Sequence, residues 1–99
     1  MARNAIADTI RKNDKDYAAY SFYHRVDARI GALATPETTN TVYPLGWLVS
    51  TGRVSGEFCE RILALTPLDL AKMVARIHAK LANHSVRDIA DEWKRELTA

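Results

Sequence analysis

The sequence predicts an all-α fold, and three observations carry that prediction. Residues 66–81, TPLDLAKMVARIHAKL, place large apolar side chains at helical spacing behind a complete start signal. Ser or Thr followed three residues later by Asp, the capping-box spacing, precedes two such segments, at Thr66/Asp69 and Ser85/Asp88. Only a few turn-forming residues separate successive segments, as between neighbouring helices of one bundle. The expected architecture is a single compact domain over residues 1–99, with five or six helices packed around a central helix at about 67–82.

The first expected helix, residues 3–12, carries a thin stripe of Ile6 and Ile10. Asn13-Asp14-Lys15-Asp16 then breaks the pattern, with Asp16 as the N-cap of a second helix that runs to about residue 34, where Thr35-Pro36 disfavours continuation. Its core stripe is Ala19, Phe22, Tyr23, Val26, Ile30 and Leu33. Tyr17, Tyr20 and His24, with Ala28 and Gly31, lie on a roughly opposite face.

Residues 35–55 allow two readings. Pro44 at a first helical position and Gly52 past a C-terminus bracket two turns bearing Leu45, Trp47, Leu48 and Val49, a reading that Gly46 weakens; β-branched Thr41, Val42 and Val49 favour a hairpin instead. The helix is preferred. Ser55 caps the next helix, residues 56–65, with Phe58, Cys59, Ile62 and Leu65 on one face.

Thr66 caps the central helix and Pro67 occupies N1. Leu70, Met73, Val74, Ile77 and Leu81 form its stripe, alanines flank it, and Lys72, Arg76 and Lys80 make a narrow polar edge. Asn83-His84 stops it. The last helix starts after Ser85, with Val86, Ile89, Ala90, Trp93 and Leu97 as its seam and Asp91 paired to Arg95 outside.

Composition narrows the function classes. Apolar residues make up 47% and charged ones 26%, the profile of a folded soluble domain, and the net charge of +2 is spread along the chain rather than gathered into a basic arm. One cysteine, Cys59, excludes an internal disulfide framework and points to the reducing cytoplasm. The N-terminus lacks the apolar core of a secretory signal, and no apolar run is long enough to span a bilayer.

His24, His78, His84 and Cys59 form no metal-ligand spacing, and their ordinary roles are packing, helix termination and small core hydrophobe. Scattered glycines give no phosphate-binding loop, and no nucleophile motif is present. No catalytic, cofactor-binding or metal-binding residue is therefore assigned, and the protein is expected not to be an enzyme. Two binding readings remain. The first is a small cytoplasmic accessory protein that regulates or inhibits a larger protein or nucleoprotein assembly, or itself oligomerises, through Tyr17, Tyr20 and His24, because such aromatics form interface hot spots. The same face could equally pack inside, against residues 3–12 or 35–55. The alternative is a nucleic-acid-binding regulator using the Lys72, Arg76, Lys80 ridge, although neither helix pair completes a helix-turn-helix with a polar recognition face.

Overall fold

The computed structural model describes residues 14–98, with side chains from residue 18 onward. Among these residues five helices follow one another: α1 (Asp14–Gly31), α2 (Thr39–Ser50), α3 (Gly56–Ala64), α4 (Pro67–Leu81) and α5 (Val86–Thr98). The fold is all-α, and no strand occurs among the described residues. The helix expected at residues 3–12 lies outside them.

Three helix starts have the expected chemistry. Ser55 Oγ accepts the Phe58 amide at 3.2 Å, Thr66 Oγ1 accepts the Asp69 amide at 3.1 Å, and Ser85 Oγ accepts the Asp88 amide at 3.2 Å, each serving one otherwise unpaired N–H of a first turn. Pro67 sits in the first turn of α4, where its missing donor costs nothing. Asp16, in contrast, lies inside α1 rather than capping it.

The segment with two readings is helical, but it begins earlier than the sequence suggests. The Thr38 carbonyl accepts the amides of Thr41 and Val42 at 2.9 and 3.0 Å, so α2 starts at Thr39 and Pro44 lies inside it. Pro44 leaves the Asn40 carbonyl without its usual amide partner; Asn40 is exposed, so water can serve it. The end is as expected. Gly52 adopts φ +68°, its amide reaches the Val49 carbonyl at 3.1 Å, and the Arg53 amide reaches the Leu48 carbonyl at 3.0 Å. These two bonds are a Schellman stop, which needs a left-handed residue that glycine supplies without Cβ strain.

The middle of the molecule is the crossing of α2 and α5. Helix α2 packs against α1, α4 and α5, and α5 packs against α2, α3 and α4. Trp93, Leu45, Leu48, Ile62, Leu70, Ile77 and Ile89 are its largest fully enclosed apolar side chains. The centre is thus α2 with α5, not the helix at 67–82. Helix α4 buries Leu70, Val74 and Ile77 on one stripe, while Ala71, Ala75 and Ala79 stay exposed. Covering alanines removes little apolar area from water, whereas α2 carries no charged residue and can be enclosed without desolvating one.

Helix α1 keeps only part of its expected stripe. Val26 and Ile30 are buried and Phe22 half-buried, but Ala19 is exposed and Tyr23 is 44% exposed; the helix ends at Gly31 rather than near residue 34, so half-buried Leu33 lies in the turn beyond it. Two arginines tie helix ends across the fold: Arg29 donates to the Leu65 carbonyl after α3, and Arg61 Nη1 donates to the Leu97 carbonyl at 2.7 Å. Cations at C-terminal carbonyls also suit the helix dipole.

Candidate protein-binding face

The α1 face opposite Val26 and Ile30 is exposed among the described residues. Tyr20 is 68% exposed, and its ring stacks on His24 one turn later with centroids 6.0 Å apart and planes 11° from parallel. The i, i+4 spacing on a helix creates this stack, since side chains four apart lie one above the other. Tyr17 belongs to the same helix, and its side chain lies outside the described ones. Tyr23, expected in the core, lies toward the core side but is only partly covered, and meets the Phe22 ring edge-on at 5.1 Å. Ala28 and Gly31 continue the face toward the end of α1 and are exposed.

There the face opens into a groove of about 300 Å³ between α1 and α2, whose lining includes Ile30, Gly31, Tyr43, Gly46 and Trp47. The groove exists because the residues at this crossing are small. A Cβ at Gly46 would meet only Ile30 Cγ2, at 3.9 Å, and one at Gly31 would meet nothing within 4 Å. Tyr43, 59% exposed, stands at its edge. An exposed aromatic pair beside an apolar groove can bury area and keep a hydroxyl hydrated, which is contact chemistry.

The basic ridge of α4 is largely engaged. Arg76 binds Glu96 through Nε and Nη2 at 3.3 and 3.0 Å, and Lys80 Nζ binds Glu92 at 3.1 Å. Lys72 is exposed, with no carboxylate within 4.0 Å among the described residues. Glu92 also accepts Arg95 Nε and Nη2 at 2.9 and 2.6 Å, and the Arg95 and Lys80 hydrogen bonds hold its carboxyl below the ordinary value. Arg95 therefore pairs with Glu92 three residues back, not with Asp91 as the spacing suggested. Glu92 is the nearly buried carboxylate of α5 and lies closer to two cations.

The other singled-out residues have local partners. His78 Nδ1 lies 3.0 Å from the hydroxyl of buried Thr41, and His84 Nδ1 lies 3.5 Å from Asp88. Cys59 is buried, and burial, helped by the charge of Asp27, pushes its thiol up and away from the reactive thiolate. Among the described residues no group of three His, Cys, Asp or Glu is arranged to hold a metal, and no helix is long and apolar enough to cross a membrane.

One cluster was not legible in the sequence. Arg53, Arg87 and Lys94 line a groove of about 240 Å³ with Trp47 and Asp91, and the Arg53 guanidinium lies 4.6 Å over the Trp47 ring. Arg87 and Lys94 at i, i+7 share one face of α5, which the spacing did offer; only the tertiary fold adds Arg53. No family model, curated protein or solved structure matches the chain.

Proposed function

We propose that this is a small non-enzymatic binding protein of the cytoplasm that regulates or inhibits a larger assembly by protein–protein contact through the Tyr17, Tyr20, His24 face of α1. The observation that supports it is the Tyr20–His24 stack, held in the open on a helix whose other face already supplies the core. Tyrosine offers large contact area at the cost of few rotatable bonds, and such residues carry a disproportionate share of interface energy. A nucleic-acid role for Lys72, Arg76 and Lys80 draws less support, because Glu96 and Glu92 already occupy Arg76 and Lys80.

The test is Tyr20→Ala, with melting temperature and association with the partner, or with itself, followed at high ionic strength on the same sample. Association should weaken by at least about 2 kcal/mol while stability changes by less than about 1 kcal/mol. A large melting loss with unchanged association would mean that the face is internal packing. Salt-sensitive submicromolar binding of duplex DNA, lost on Lys72→Glu with Arg76→Glu, would replace this reading with the nucleic-acid one.

A further inference from the structure

We infer that the groove bearing Arg53, Arg87 and Lys94 takes the acidic outer face of α3 from a second copy of this chain. The two surfaces are complementary in charge, and the cations of one and the carboxylates of the other lack ion-pair partners among the described residues. Among the described residues, Arg53, Arg87 and Lys94 have no carboxylate within 4.0 Å, and neither Glu57 nor Glu60 has a cation within that distance. Glu57 and Glu60 are exposed and three apart on α3, so they project from one face, beside Arg61 and Ala64.

The groove is partly preformed. Arg53 lies over the Trp47 indole, which restricts its guanidinium and leaves the planar fork free for a carboxylate. Asp91 decides between kinds of occupant. It lies between Arg87 and Lys94 on the same face of α5, so the groove reads positive, negative, positive. A continuous polyanion such as a nucleic-acid backbone would be repelled at its middle. The α3 face instead offers two carboxylates together with Arg61, whose Nη1 is held by the Leu97 carbonyl and whose remaining N–H groups can meet Asp91. Trp47, Leu48 and Ala90 give the contact an apolar floor, and α3 presents small Ala64.

Because the groove and the α3 face are different patches, the contact is heterologous, forming a chain or ring unless two copies exchange it reciprocally. It is independent of the Tyr20 face. Exposed ion pairs are individually weak and screened, so the association belongs to low ionic strength and high protein concentration.

The experiment is a charge swap read by analytical ultracentrifugation at about 0.01 M and about 1 M ionic strength, where the screening length changes from about 30 to about 3 Å. One variant carries Glu57→Lys and Glu60→Lys; the other carries Arg87→Glu and Lys94→Glu. All four positions are exposed, and helical circular dichroism with the melting temperature confirms that each variant folds. The parent should associate at low salt and dissociate at high salt. Each variant alone should associate about tenfold or more weakly than the parent, and an equimolar mixture of the two should recover association. Tyr20→Ala should leave this behaviour unchanged. A parent that stays monomeric at low salt, or a mixture that fails to recover, overturns the inference. Loss of association with Tyr20→Ala but not with the charge variants would overturn it too, while leaving the α1 face as the functional contact. Binding of a single-stranded oligothymidylate, abolished by Arg87→Glu with Lys94→Glu, would assign the groove to nucleic acid instead.

Discussion

The indole Nε1 of Trp93 donates to the Thr41 carbonyl at 2.8 Å, joining α5 to α2 between two fully buried residues. A carbonyl has two lone pairs, so Thr41 can serve the indole without leaving its helix. The hydrogen bond fixes how α5 lies on α2, because an indole buried elsewhere would lose its only polar contact.

Trp93→Ala should lose about 3 to 5 kcal/mol through lost contacts and a cavity. Trp93→Phe keeps much of the ring volume and removes the donor, so its hydrogen-bond loss should be about 1 kcal/mol. Denaturant unfolding of the pair separates packing from polarity. A neutral Trp93→Ala would contradict the docking of α5.

The Thr41 hydroxyl, 3.0 Å from His78 Nδ1, should couple α2 to α4. Thr41→Val and His78→Ala should each destabilise, and a double-mutant cycle should return a coupling of about 0.5 kcal/mol or more. Strict additivity would show that the pair contributes nothing jointly.

Glu92 sets a pH dependence of known sign. Hydrogen bonds from Arg95 and Lys80 lower its folded-state value below the ordinary 4.5, so the unfolded chain takes up the proton first. Its contribution is therefore complete above that ordinary value and is lost as pH falls through the lowered one. Glu92→Gln should flatten this part of the acid stability curve. An unchanged acid slope in the variant would mean that the two cations do not stabilise the charged form.

Two glycines of α2 and its stop should respond oppositely. Gly52 has open space around it but φ +68°, so Gly52→Ala should cost about 1 to 2 kcal/mol from backbone strain alone. Gly46 is inside the helix, and the nearest atom to an added Cβ is Ile30 Cγ2 at 3.9 Å. Gly46→Ala should therefore stabilise by about 0.5 to 1 kcal/mol. Thermal melts of both variants decide it, and equal shifts of the same sign would refute the contrast.

Local physics determined much of this fold. The Ser55, Thr66 and Ser85 caps, the first-turn Pro67 and the glycine stop at Gly52 depend on residues within a few positions, and each stands where the sequence put it. The apolar seams of α3 and α5 were legible in the main, since helical spacing gathers Phe58, Cys59 and Ile62, or Ile89, Ala90, Trp93 and Leu97, on one side; of the expected members, Leu65 is half-buried past the end of α3 and Val86 is 42% exposed. Helical spacing likewise puts Tyr20 and His24 one above the other, but whether that face is open or packed inside was not legible, and the structure leaves Tyr20 exposed and stacked on His24.

The tertiary structure decided which helix is innermost, how far α1 is covered and where charges meet. Amphipathic pattern says which face turns inward but not how many neighbours reach it, so uncharged α2, interrupted by Pro44, was harder to read than α4 and yet lies deeper. Tyr23 lies toward the core side of α1 but at a place its neighbours only partly cover. Likewise Arg76 and Lys80 form a basic edge in the sequence, and only the packing of α5 beside α4 brings Glu96 and Glu92 to them. Arg53 joins Arg87 and Lys94 for the same reason. Spacing along one helix is fixed by its own geometry, whereas proximity between helices depends on how every element packs at once.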